Sequence, residues 1–493
     1  MTVTESSSKK QTEDMAKIIE NWLGNPVIRK LLKFTTKRTG NERRLDKILK
    51  SYAFDKDVNL SFGDRLTEKI VMKIVGSVVD RTSITEEDVK SNLQIGYWRK
   101  GLVSTLEGIA WRGPEKPFTS YAPFLVVWNF TNACNLSCKH CYQSSGKKPT
   151  SDELTTEEKM KALDEMADAG VAYISISGGE PLFMKDVFEV GKKIAEKDMG
   201  FAIATNGTML TKETAQKLKD SGCCYVQISL DGTRKTHDEF RGFFGAFDKT
   251  VQGIRNSVNT GLLTEVSMTV TKDNLNEVGD IIDLTEELGA STFMHYNFIP
   301  SGRGKDIIDK DLSPEEREEL LNFLAEECDK RDMSVLSTAP QFSRIMASGE
   351  YASSSLTHFD SISQQEGMGN ETRFLAEFVG GCGGGRLYCG LEPNGDIIPC
   401  VFLPKVLGNI KEDDFLEVWK DSEFMEDMRN RRRYDEGCGG CDYRSICGGC
   451  RARAYAYYGD VQVSDPGCII NKRKWESLKE EIGEKQFITL VKT

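Results

Sequence analysis

Three cysteines stand within eight residues in "CNLSCKHCYQ", at Cys134, Cys138 and Cys141. A closed metal site takes four ligands, so the C-x3-C-x2-C spacing leaves one coordination position to be filled from elsewhere. His140 would fill it if the metal were a single zinc ion. A loop this tight also suits one face of a four-iron cubane, in which each thiolate holds one iron and the fourth iron stays open. Downstream, "CGGCDYRSICGGC" brings Cys438, Cys441, Cys447 and Cys450 into thirteen residues, flanked by Cys382, Cys389, Cys400 and Cys468. C-x2-C pairs in isolation fit a zinc ribbon, whereas eight thiols are also enough to ligate two four-iron clusters completely. Eleven of the fourteen cysteines fall in these two groups. Cys223, Cys224 and Cys328 lie outside them and are expected to be small apolar core side chains.

The rest of the composition narrows the setting. At 493 residues with 39% hydrophobic and 29% charged residues, the chain has the makeup of a globular protein of two or three domains. A formal charge of −11 argues against general nucleic-acid affinity. No apolar run approaches a membrane span, "FLVVW" being typical of the longest, and "MTVTESSSKKQTED" carries no export signal. The expected compartment is the cytoplasm, where clustered thiols point to metal rather than to disulfides.

The elements that must position these thiols follow from periodicity. Residues 1–14 are polar and expected to be a disordered tail. Residues 15–112 repeat apolar positions at helical steps, as in "RLDKILKSYAF", and form an N-terminal helical domain. "WRGPEKPFTSYAP" then breaks the pattern. From 123 to 335, short apolar strands (124–130, 171–177, 201–205, 224–230, 264–270 and 291–298) alternate with amphipathic helices, several closed by Gly. Six βα units in a row predict an α/β fold with a parallel sheet, an open or partial (β/α)6 barrel rather than a doubly wound sheet. Residues 336–380 are expected to be a linker, 381–470 a cysteine-rich domain, and 471–493 a C-terminal helix and tail. Cys134, Cys138 and Cys141 follow the first strand directly, which puts them at the C-terminal face of a barrel, where active sites sit.

C-x3-C-x2-C after a first strand resembles the signature of the radical S-adenosylmethionine (SAM) enzymes. That resemblance implies a [4Fe–4S] cluster whose open iron is chelated by the amino and carboxylate groups of SAM. One electron from the cluster then cleaves the sulfonium bond and releases a 5′-deoxyadenosyl radical. Further motifs at successive strand ends match the family in order. "SGGEP" (177–181) corresponds to the segment that binds the SAM amino group, with Gly178 and Gly179 allowing close backbone approach and Glu180 supplying an anion. "ATNGT" (204–208) places Asn206 like the ribose-contacting residue, and "ISLDG" (228–232) places Ser229 like a cofactor contact. "HDEFRG" offers Arg241, which resembles the arginine that holds the SAM carboxylate. His140 occupies the family position that lies against adenine.

The downstream cysteines resemble the SPASM domain, an extension of radical SAM enzymes that carries auxiliary clusters. "LEPNGDIIPC" (391–400) is similar to its hairpin. The resemblance implies one [4Fe–4S] cluster on Cys382, Cys389, Cys400 and Cys450, and another on Cys438, Cys441, Cys447 and Cys468. In one respect the chain departs from the family: only two glycines separate Cys447 from Cys450, where three residues are usual. That shorter form is similar to the branch acting on haem-like precursors. It leaves open that one auxiliary cluster has an open site or is absent. Such clusters would take up the electron left on a substrate after hydrogen abstraction, since Fe–S potentials span roughly −700 to +450 mV.

Residues 26–50 carry nine Lys or Arg against two acidic residues. They form either a cap whose polar faces are basic, or an anion-binding surface for phospholipid or a carboxylated tetrapyrrole. Arg303, in "IPSGRG", is a candidate anion clamp. The implied enzyme is an oxidoreductase acting on a peptide, protein or haem-like substrate, served by an electron donor of the ferredoxin or flavodoxin type. Lipid modification at a membrane surface, and a non-enzymatic zinc-binding scaffold, are the alternatives.

Overall fold

Parallel strands covered on both faces need apolar side chains at alternate positions on each. That alternation organises the computed structural model, which describes residues 24–39, 42–55, 61–79, 85–347 and 379–480. Seven consecutive parallel strands follow the chain: β1 (Leu125–Asn129), β2 (Tyr173–Ser177), β3 (Gly200–Thr205), β4 (Cys223–Ser229), β5 (Leu263–Val270), β6 (Thr292–Asn297) and β7 (Ser334–Ser337). On one face, Val126, Trp128, Ile174, Ile176, Ile203, Val226 and Phe293 are fully buried against the helices. Truncating a Trp128 or Phe293 in such a core costs about 3–5 kcal/mol. On the other face, residues from β1 to β6 line one shared cavity, so the sheet curls around it.

The helices begin and end as the sequence dictates. Thr155 and Ser313 close reciprocal capping boxes with Glu158 and Glu316. Gly170 and Gly261 end their helices in the left-handed region.

Two expectations change, and one pair of alternatives is narrowed. First, the sheet does not stop at six strands. β7 is a seventh parallel strand, and the segment expected to be a linker from 336 begins as the end of β7 and the helix Pro340–Ala347, with Phe342, Ile345 and Met346 buried. Residues 348–378 lie outside the described residues, as do the tail at 1–14 and 481–493; within 471–493, residues 472–480 are helical.

Second, the hairpin of β8 (Tyr388–Leu391) and β9 (Asp396–Ile398) is not a separate layer. β8 pairs in parallel with β1, Cys389 opposite Val126, and β10 (Gly408–Asn409) pairs with β9, giving one ten-stranded sheet in the order β10-β9-β8-β1-β2-β3-β4-β5-β6-β7.

Third, much of the basic N-terminal stretch turns inward. Arg43 pairs with Glu107, Arg44 and Lys47 with Asp64, and Lys50 with Asp198, while Leu45 and Leu49 pack on Val71, Leu93 and Val103. This is the arrangement of a cap. Among the described residues no helix is long and apolar enough to cross a membrane.

Candidate functional site

The loop after β1 is held from three sides. From β2, Gly179 N–H donates to Thr131 O at 2.7 Å and Glu180 N–H to Ala133 O at 2.8 Å. The glycines are required by that approach. Gly178 has φ of +111° and a Cβ there would lie 2.8 Å from Phe130 N, while a Cβ on Gly179 would lie 2.1 Å from Ala133 O. From the helix Arg234–Arg241, the carbonyls of Phe240 and Arg241 accept from Lys139 and Ser137 N–H. From the end of β6, Arg303 N–H donates to Cys141 O at 2.9 Å, its Nε to Cys138 O at 3.0 Å and its Nη1 to Ser145 O at 2.6 Å.

Cys134, Cys138 and Cys141 are thereby packed together at the mouth of a cavity of about 270 Å3. Gly178, Gly179, Asn206, Ser229, Arg241 and His140 line the same cavity, so the motifs found in sequence converge. Arg241 is buried. Its Nη2 pairs with Asp231 Oδ2 at 2.6 Å and its Nη1 donates to Cys138 Sγ at 3.7 Å. Burial pushes the Cys138 thiol up, and the Arg241 charge works against that. The His140 ring stacks on Phe240 with centroids 4.2 Å apart and planes 11° apart. Burial lowers its pKa to about 4, so it is neutral at physiological pH. Asn206 Nδ2 donates to Asn135 Oδ1 at 2.8 Å, tying the β3 end to the cysteine loop.

Two side chains are placed differently from expectation. Glu180 was expected to face an ammonium, yet it is fully buried and does not line the cavity. Its Oε1 accepts from Thr205 Oγ1 at 2.7 Å and Leu182 N at 3.1 Å, and its Oε2 from Asn206 N at 2.8 Å. Arg303 was expected to clamp an anion, and its guanidinium instead holds the backbone of the cysteine loop.

The downstream cysteines divide into two groups. Cys438, Cys441, Cys447 and Cys468 surround a small second cavity of about 20 Å3. Cys438 Sγ accepts from Arg451 Nη2 at 3.6 Å and Asn471 Nδ2 at 3.5 Å, and Cys447 Sγ from Gly449 N at 3.3 Å. Cys382, Cys400 and Cys450 line the large cavity. Cys447 and Cys450 part company because Gly448 and Gly449 both take positive φ, +73° and +65°, which two L-residues would resist.

Cys389, assigned by resemblance to the same set as Cys382, does not join it. Side chains alternate along β8, so Tyr388 faces the cavity while Cys389 and Leu391 face the helix layer, where both are fully buried in the apolar core.

The donor sets fit iron–sulfur clusters. Buried thiols stand in groups, with N–H and guanidinium donors aimed at the sulfurs, as such clusters require. Among the described residues no three His, Cys, Asp or Glu side chains converge as one ion requires. In a cubane each thiol binds its own iron, so grouped rather than convergent thiols suit one.

Sequence reasoning missed Asp231, which lies inside the quoted "SLDG" and is fully buried beneath Arg241. It also missed the aromatic lining, Tyr142, Tyr296, Tyr388 and Phe402. For Tyr296 and Tyr388, phase on their strands was the available signal; Tyr142 and Phe402 lie in loops that carry none.

Comparison with known proteins agrees with this geometry. Residues 128–285 match the radical SAM superfamily, and residues 382–442 match an iron–sulfur cluster-binding domain, SPASM. The chain is 35% identical to an AdoMet-dependent heme synthase of Methanosarcina barkeri over 72% of its own length and 98% of that protein. It is 32% identical to mycofactocin maturase MftC of Mycolicibacterium smegmatis, over 71% and 83%. The fold is similar to SuiB of Streptococcus suis bound to S-adenosylmethionine, with a TM-score of 0.58 at 19% identity, covering 83% of this chain and 90% of that one. The cofactors are those of the family: a [4Fe–4S] cluster, SAM and auxiliary iron–sulfur clusters. A mixed α/β barrel with a three-cysteine loop at its mouth and a cysteine-rich extension on its first strand belongs to the radical SAM superfamily, and this chain is a SPASM-type enzyme of that family.

Proposed function

We propose that this enzyme removes a hydrogen atom from a carboxylated, haem-like tetrapyrrole held in the barrel cavity. The observation that carries the reading is the single cavity lined by both the cysteine loop and a set of flat aromatic side chains. Tyr142 and Phe402 meet edge to face there at 5.0 Å, beside Tyr388 and Tyr296. Planar, apolar walls suit a macrocycle. Supporting it, the match to the heme synthase spans nearly all of that protein.

In this reading Cys134, Cys138 and Cys141 hold the catalytic cluster. When bound, that cluster and SAM together supply a 5′-deoxyadenosyl radical on receipt of one electron from an external donor. The chain's own residues do the rest. Arg303 fixes the loop by its carbonyls, so that the three thiols keep their spacing. Arg241 sets a positive charge beside Cys138 and is itself held by Asp231. The neutral His140 ring, backed by Phe240, offers a flat surface to adenine without adding charge. The backbone at Gly178 and Gly179 receives the SAM amino group, with Asn206 and Ser229 contacting the rest of the cofactor. Glu180 acts as a positioning residue for the β3 turn.

A second reading, oxidative modification of a peptide, is favoured by one observation, the 32% identity to the mycofactocin maturase. The two are separated by anaerobic titration with an iron porphyrin bearing propionates. The first reading expects a Soret shift and a porphyrin-dependent rise in 5′-deoxyadenosine. Absence of both, with SAM cleavage intact, would reject the tetrapyrrole.

A further inference from the structure

We propose that Glu265 and Ser267 form a substrate subsite low in the barrel, where their O–H groups donate hydrogen bonds to an acceptor oxygen of the substrate, a carboxyl or a carbonyl. The subsite deepens the tetrapyrrole reading above, on which it rests, by naming what holds the polar end of the substrate.

Alternation along β5 turns Glu265, Ser267 and Thr269 into the cavity and Val266, Met268 and Val270 into the helix layer. Ser267 lies opposite Ser229 and Glu265 opposite Gln227, so Glu265 stands about 7 Å of strand below the level of Ser229. Beneath it the barrel is closed. Leu125, Tyr173, Ala202 and Tyr225 pack together there, and Tyr97 of the cap meets Tyr173 edge to face at 5.5 Å.

Glu265 is 2% exposed, and among the described residues no cation pairs with it. Tyr225 is its hydrogen-bond partner, the phenol donating to Oε2. Burial with no positive charge to offset it pushes the carboxyl pKa up to about 8, so at neutral pH the group is an acid with a proton to donate. Among the described residues nothing accepts that proton.

A second set of hydrogen bonds ends at the same place. Tyr296 Oη donates to Gln227 Oε1 at 3.1 Å, and Gln227 Nε2 donates to Ser267 Oγ at 3.1 Å. Ser267 therefore accepts from its neighbour and keeps its own hydroxyl proton, again with no acceptor among the described residues. Two residues apart on one face of a strand, Glu265 and Ser267 present two unspent donors to the chamber. Leaving buried donors unpaired is unfavourable, and one ligand oxygen with two lone pairs relieves both. A substrate cation would instead require Glu265 to ionise.

The test uses full-length, cluster-loaded enzyme and two probes, an iron porphyrin bearing propionates and propionate alone. Glu265→Gln keeps an acceptor for Tyr225 and a donor for the ligand, whereas Glu265→Met keeps the volume and loses both. Glu265→Met should weaken porphyrin binding roughly tenfold, with Glu265→Gln within about threefold of wild type and SAM affinity unchanged in both. Ser267→Ala should also weaken porphyrin binding, by about three- to tenfold, and it carries the test if Glu265→Met does not fold. Infrared difference spectra read the group directly: the protonated carboxyl band that Glu265→Gln removes should shift when either probe binds. Equal losses in Glu265→Gln and Glu265→Met would assign the subsite to a cation. Unchanged binding in Glu265→Met and Ser267→Ala, or a band that neither probe moves, would show that water alone satisfies these donors. Each of these outcomes overturns the proposal. Absence of a Soret shift in wild-type enzyme, with the Glu265 band still moved by propionate, would reject the tetrapyrrole and leave this subsite standing.

Discussion

Arg303 and Cys138 are joined across the barrel mouth, the guanidinium Nε donating to the Cys138 carbonyl at 3.0 Å. The same side chain reaches Ser145 O, and its own N–H reaches Cys141 O. A charged side chain therefore fixes the loop through its backbone and leaves the sulfurs free for metal. Hydrogen bonds to charged groups are worth about 1.5–3 kcal/mol each. Arg303→Ala should leave the fold intact but lower the rate of SAM cleavage roughly ten- to hundredfold, with partial loss of iron. Arg303→Lys, which keeps the charge and loses the fork, should recover little. Iron and sulfide counts beside a 5′-deoxyadenosine assay check this, and full activity in Arg303→Ala would refute the clamp.

Gly179 and Gly146 make a matched pair of glycines on the two sides of the cysteine loop. An added Cβ at Gly179 would lie 2.1 Å from Ala133 O, whereas at Gly146 it would meet nothing within 4 Å. Gly179→Ala should destabilise the protein by about 1–3 kcal/mol or more and displace the start of the loop. Gly146→Ala should fall within about 0.5 kcal/mol of wild type. Thermal unfolding of the two variants, with iron content, separates a requirement for space from a general sensitivity of the loop.

These relationships show where the sequence was legible. Strict alternation at Val126 and Trp128, Ile174 and Ile176, and the equivalent pairs on later strands, is a local signal, so the βα repeat could be read directly. The strand-end motifs were legible for the same reason, since each follows its strand at once. The addition of β8 to β1 was not, because it pairs segments far apart in the chain and leaves no mark on either. Nor was the direction of Cys389 legible: shifting the phase of a four-residue strand by one residue moves a thiol from the cavity to the core. The partners of Glu180 and Arg303 were not legible because most of them are backbone groups, which carry no residue identity.

The Glu180 carboxylate offers a direct comparison of two roles. Three donors converge on it, so Glu180→Gln would turn an amide N–H2 toward at least one of them. A positioning role predicts a stability loss of about 1–3 kcal/mol with SAM affinity changed by no more than about tenfold. A direct contact to the SAM ammonium predicts the reverse, unchanged stability and a far larger loss of affinity. Calorimetric unfolding and equilibrium binding of SAM on the cluster-loaded variant distinguish them.

Glu265 is a second buried carboxyl, on β5 within the cavity lining, and Tyr225 donates to it. Burial raises its pKa from the usual 4.5 to about 8. Below the ordinary carboxyl pKa the group is protonated in both folded and unfolded chains and contributes nothing to pH dependence. As pH rises from there toward 8 the unfolded chain ionises while the folded one stays neutral, so stability falls, and it levels off once the folded group ionises too. One pKa unit corresponds to 1.36 kcal/mol, which bounds the loss at on the order of 5 kcal/mol. Glu265→Gln removes this titration. Relative to wild type, the variant should therefore gain stability between pH 5 and pH 8, in denaturant melts at matched ionic strength. A stability difference between the two proteins that is flat across that range would show that Glu265 is ionised in the fold.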